Sequence, residues 1–142
     1  MAKKSVLYSV YSDLVHAMKT VVDSKYVFLK DRPNTKEGEL PMSKFAVIDL
    51  PVTINDYVAG NSKTMLTTSG VFYLFTQSRS NGTLDVNITG DFVDAVLDLF
   101  PISGTSCVAS NPVVRMTGND GQGFQVCTVT FDLRCRWGVF EK

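Results

Sequence analysis

Polar and apolar residues alternate along the last long stretch of the chain, Phe124 to Trp137. Cys127, Val129, Phe131, Leu133, Cys135 and Trp137 are apolar, and Thr128, Thr130, Asp132, Arg134 and Arg136 between them are polar. A period of two sends successive side chains to opposite faces, so this stretch predicts a strand with one buried and one wet face. Strands usually run about 5–6 residues, so this one is long enough to organise a sheet.

A different period marks the start of the chain. Leu7, Val10, Leu14, Met18 and Val21 recur at three- and four-residue spacing, which predicts an amphipathic helix over Ser5–Val22 with Ser5 as its N-cap. Lys25–Lys30 is β-rich and predicts a short strand. Asp31–Pro41 is polar with two prolines and predicts a long surface loop. Phe45–Leu50 is a nearly continuous apolar run, as expected of a central strand, and it could continue past Pro51 through Ile54 with Pro51 at a bulge or edge. A connector follows over Asp56–Ser62.

Lys63–Gln77 reads as a long β segment. Its apolar heart, Val71–Phe75, is expected to be covered on both faces, and its polar first half to overhang the core. Beyond the break at Ser78–Thr83, Leu84, Val86 and Ile88 alternate as in a hairpin. Leu84, Ile88, Phe92, Val96 and Leu99 keep a four-residue spacing, and this longer pattern predicts a second helix ended by Pro101. Asn87, Thr89 and Gly90 are poor helix formers, so its start stands open between Leu84 and Gly90. Gly104–Ser110 reads as an irregular lead-in and Val113–Met116 as a strand. The glycine-rich turn Gly118–Gly123 then joins it to the final strand in an antiparallel hairpin. The order predicts one domain of an α+β fold: a mostly antiparallel sheet, two helices packed on one face, and a closing C-terminal β-hairpin.

Composition narrows the function classes. The 142 residues are 44% hydrophobic, ample for one core, and 14 basic residues balance 14 acidic ones. A neutral chain without clustered Lys and Arg is not expected to bind nucleic acid through a basic patch. The basic start, Met1–Lys4, is not followed by the apolar run that a signal peptide or membrane span needs. Synthesis in the cytosol is the expectation, with Cys107, Cys127 and Cys135 as reduced thiols. Cys127 and Cys135 share a strand face but lie roughly 27 Å apart along it, too far for a disulfide.

Catalytic chemistry finds few footholds. His16 is the only histidine, so neither a multi-histidine metal site nor a nucleophile–imidazole pair can be assembled around a second one. Asp91, Asp94 and Asp98 fall on one helical face and read as a solvated surface. Gly118–Gly123 precedes a strand rather than a helix and lacks the lysine of a phosphate-binding loop. No catalytic residue, cofactor or metal is expected. Asp132, Arg134 and Arg136 alternate on the polar face of the last strand. They are either an ordinary wet face or charges set against a neighbouring subunit.

Two segments carry a family resemblance. Val71–Phe75, the break Asn81–Thr83 and the helix ending Phe92-Val93-Asp94-Ala95-Val96-Leu97-Asp98-Leu99-Phe100-Pro101 form the first. Asn111–Arg115, the glycine-rich turn and Gly123–Phe131 form the second. Their order resembles the tail terminator, or tail completion, proteins of long-tailed bacteriophages. The resemblance implies a virion structural protein, assembled in the host cytoplasm and placed at the head–tail junction. It implies a homo-oligomeric ring, a hexamer in that family, that caps the tail tube, ends its polymerisation and meets the head connector. Its partners would be the tail tube protein and a head completion protein, with no sequence-specific nucleic acid and no membrane.

A ring needs head-to-tail interfaces. The loops Lys30–Ser43 and Asp56–Lys63 are the expected reach toward neighbours, with Arg32, Lys36, Glu37, Asp56 and Lys63 as candidate contacts beside Asp132, Arg134 and Arg136. A tail tube or connector protein of similar fold is the nearest alternative. A small ligand-binding or enzymatic α+β domain is the alternative of another class.

Overall fold

A computed structural model describes residues 6–23, 26–29, 44–50, 65–104, 107–121 and 123–136. Among these the chain runs α1 (Val6–Met18), β1 (Val27–Leu29), β2 (Lys44–Asp49), β3 (Met65–Gln77), α2 (Val86–Leu97), β4 (Ile102–Ser103), β5 (Cys107–Asn119) and β6 (Phe124–Arg136). The six strands form one sheet in the order β1-β2-β3-β6-β5-β4. Only β1 and β2 run parallel; every other ladder is antiparallel. The fold is α+β.

The final strand is central, as its length predicts. β6 pairs with β3 along its whole length, from Phe124 opposite Gln77 to Arg136 opposite Met65. Its other edge carries β5, which completes the hairpin. The alternation reads directly into burial: Cys127, Val129, Phe131 and Leu133 are buried, and Thr130, Asp132 and Arg134 are exposed. Both helices pack on that buried face. Val10, Leu14 and Met18 of α1 and Phe92 and Val96 of α2 join Phe72, Leu74 and the buried row of β6 in one core.

The opposite face is only partly wet. Phe45, Val47, Phe75 and Phe124 form a second buried cluster there. Phe45 stacks on Phe75 at 4.4 Å between centroids and meets Phe28 and Phe124 edge-on. This accounts for the unbroken apolar runs of β2 and β3, whose successive residues are buried on alternate faces.

Two boundaries differ from the sequence expectation, and a third that the sequence left open is settled. α1 ends at Met18 rather than Val22, because the Thr20 hydroxyl donates to the Ala17 carbonyl and the chain turns. Val22 still donates to the Met18 carbonyl and stays buried. α2 takes the earlier of its two possible starts: Asp85 is the N-cap and its carboxylate accepts from the Ile88 amide at 3.3 Å. Cys107–Ser110 is strand rather than irregular lead-in. β5 carries Asn111-Pro112 through as a bulge, with Asn111 at φ 57°, and a second irregularity falls at Gly118, φ 101°. Ser5, the loops 30–43 and 51–64, and Trp137 lie outside the described residues.

Candidate assembly interface

The polar row of β6 is where the sequence placed charges, and burial alternates so that Asp132 and Arg134 share the exposed face. Asp132 lies opposite Ser69 of β3 and Ser110 of β5, Arg134 opposite Thr67 and Val108, and Arg136 opposite Met65. Asp132 and Arg134 are exposed. The Asp132 carboxylate accepts from Asn111 Nδ2 at 2.9 Å, which ties the β5 bulge to β6. Next along the row, the Thr130 and Thr128 hydroxyls donate to the Val113 and Arg115 carbonyls, each at 3.3 Å. The row therefore clamps β5 as well as facing water. Arg32, Lys36, Glu37, Asp56 and Lys63 lie outside the described residues.

Sequence reasoning missed the sheet edges. Of the six large apolar side chains exposed among the described residues, four are on β5 (Val108, Val113, Val114 and Met116) and one, Leu29, is on β1. These are the two flanks of the sheet. β4 covers β5 only at Val108 and Ala109, so from Ser110 onward the outer edge of β5 has no strand beside it among the described residues. Between its two irregularities β5 is regular over Val113–Met116. Val114 and Met116 lie opposite Val129 and Cys127, which places them on the helix-bearing face, beyond the helices' cover. The local signal was the run Val113-Val114-Arg115-Met116, which lacks the alternation of a half-buried strand.

The other flank carries a groove. Tyr11, Ser12, Val15, His16 and Lys19 of α1 and Leu29 of β1 line a hollow of about 270 Å³. Tyr11 and Val15 form an apolar floor against the main core, and exposed His16 and Lys19 stand on the rim. Leu29 lies opposite Ile48, a core residue, so the groove is on the helix-bearing face.

The remaining candidates have structural surroundings. Asp91 and Asp94 are exposed along α2, and Asp98 is exposed at its C-cap. The turns at Gly82 and Asn119–Gly123 are knitted together, since Asn119 Nδ2 and Gln125 Nε2 both donate to the Gly82 carbonyl, at 3.1 and 3.0 Å. Cys107 and Cys127 are buried thiols; the Cys107 Sγ donates to Asp13 Oδ2 at 3.8 Å, and burial pushes the Cys127 thiol above its ordinary range. Among the described residues no three His, Cys, Asp or Glu side chains are grouped to hold a metal, and no helix is long and apolar enough to cross a membrane.

No protein-family model matches this chain, and no curated protein does. Solved structures share its fold. One of them, whose name carries no functional description, aligns over 92% of this chain and 92% of its own, with a TM-score of 0.54 and 12% sequence identity. A likeness at that identity concerns the fold alone.

Proposed function

We propose that this chain is a ring-forming structural protein of a long phage tail, a terminator that caps the tail tube and presents a surface to the head connector. The observation that carries the reading is the sheet's two flanks: among the described residues, four exposed large apolar side chains lie on β5 and one, Leu29, on β1. Apolar residues concentrated at open strand edges mark a chain built to associate. The tail-terminator resemblance of Gly70–Pro101 and of the closing hairpin supplies the kind of assembly. In this reading the chain turns over no substrate and takes no cofactor, and its place is the head–tail junction of the virion.

A tail tube subunit would use the same flanks but would polymerise without end. Light scattering after size exclusion, over a concentration series and with negative-stain imaging, separates the two. Closed rings of about six copies are expected of a terminator. Open tubes would replace this reading with a tube subunit, and a chain that stays monomeric even when mixed with tail tubes would refute it.

A further inference from the structure

We propose that copies of this chain join sheet edge to sheet edge, with Val113–Met116 of β5 in one copy laid beside β1 of the next and its Val114 and Met116 side chains seated in the neighbour's α1–β1 groove. The inference rests on the ring reading, which requires a head-to-tail interface.

Strand direction permits it. β1 runs with β2, β3 runs against β2, β6 against β3 and β5 against β6, so β1 and β5 point opposite ways. Setting a second copy beside the first in the same orientation makes β5 antiparallel to the neighbour's β1, the pairing that most of this sheet already uses. The lengths agree as well: the regular stretch of β5 is Val113–Met116 and β1 is Val27–Leu29.

Shape gives an independent reason. Val114 and Met116 project from the helix-bearing face at one flank, 37% and 51% exposed. The groove floored by Tyr11 and Val15 opens on the same face at the opposite flank. Placement edge to edge therefore brings two exposed apolar side chains over a hollow with an apolar floor, while the strand edges exchange main-chain hydrogen bonds. A symmetric β5–β5 pair would leave the groove and Leu29 in water. The lone charge of the β5 stretch, Arg115, lies opposite Thr128 and so on the other face, where it does not enter the groove.

The test uses two substitutions at exposed positions, Met116→Lys and Leu29→Lys, each checked for unchanged thermal unfolding. Light scattering is run on the wild type, on each variant alone and on their equimolar mixture. Each variant alone is expected to remain monomeric at concentrations at least tenfold above those at which the wild type assembles. The mixture is expected to form a one-to-one dimer and nothing larger, because one intact β5 edge then meets one intact groove. A wild-type ring that survives both substitutions overturns this inference and leaves the ring reading standing. Self-association of Leu29→Lys without that of Met116→Lys overturns it in favour of a symmetric β5 pair. A wild-type chain that stays monomeric, alone and on tail tubes, overturns the ring reading and this inference with it.

Discussion

Thr76 of β3 and Thr89 of α2 share a hydrogen bond of 2.6 Å between their hydroxyls, both side chains being buried. It joins the second helix to the sheet at a point where neither hydroxyl reaches water. Replacing one partner by valine strands the other hydroxyl in the core, and such a group costs about 1–3 kcal/mol. Thr76→Val and Thr89→Val are each expected to lower unfolding free energy by that amount. The double variant should lose clearly less than the sum, since it removes both polar groups together. Urea denaturation of the four proteins checks this, and strict additivity would mean that the pair is not coupled.

Two glycines should respond to alanine with opposite signs. A Cβ on Gly70 would stand 2.6 Å from the Phe131 ring and 3.1 Å from Leu50, in the middle of β3 where the ring cannot move freely. Gly70→Ala is expected to destabilise by about 1–3 kcal/mol through overpacking. A Cβ on Gly90, inside α2, would meet nothing within 4 Å. Gly90→Ala removes a helix-interior glycine and should stabilise by roughly 0.5–1 kcal/mol. Midpoints of thermal or urea unfolding decide both, and a stable Gly70→Ala variant would contradict the packing described around Phe131.

Asp85 holds the start of α2, with its carboxylate accepting from the Ile88 amide. Asp85→Ala should cost about 1 kcal/mol, whereas Asp85→Asn, which keeps an acceptor oxygen, should cost only a few tenths. Amide exchange gives a local readout. The Ile88 and Thr89 amides, which are bonded to Asp85, should lose protection in Asp85→Ala while Phe92–Leu97 keeps it. Equal loss along the whole helix would indicate that the cap is not what sets its beginning.

The alternation from Cys127 to Leu133 was legible because β6 has water on one face and core on the other, and such a strand writes its environment at period two. The stripe through Leu14 and Met18 was legible for the corresponding reason in a helix. The start of α2 was not, because Asn87, Thr89 and Gly90 disfavour a helix locally. The Asp85 cap and the long-range bond from Thr89 to Thr76 override them. The length of β5 was hidden by Asn111-Pro112, which looks like a break but is absorbed as a bulge held by Asp132. Of the candidate contacts, Asp132 and Arg134 fall where the alternation put them. Apart from the unalternating run Val113–Met116, the exposed flanks left no mark in the sequence, because the order of strands in a sheet is a tertiary fact, and Leu29 reads as core until that order is known.

Cys127 gives the fold a dependence on alkaline pH. It is 1% exposed, on the face of β6 that packs under the helices, and burial pushes its thiol up because the thiolate is poorly solvated there. An unfolded thiol ionises near pH ~8.5. Below that value both states carry the proton and the contribution to stability is intact. Above it the unfolded chain releases the proton while the folded chain retains it, so stability falls as pH rises through the folded value, by at most about 1.4 kcal/mol per pH unit. Other groups titrate in this range, so the informative quantity is the stability difference between the wild type and Cys127→Ala, measured in urea from pH 7 to 10. Alanine adds a cavity cost that does not vary with pH, so the wild type's advantage is expected to shrink steadily above pH ~8.5. Iodoacetamide should modify Cys127 in urea but not in the folded protein at pH 8. A constant difference across the range, together with ready alkylation of the folded chain, would mean that Cys127 is reached by water and that the core beneath α1 and α2 is looser than described.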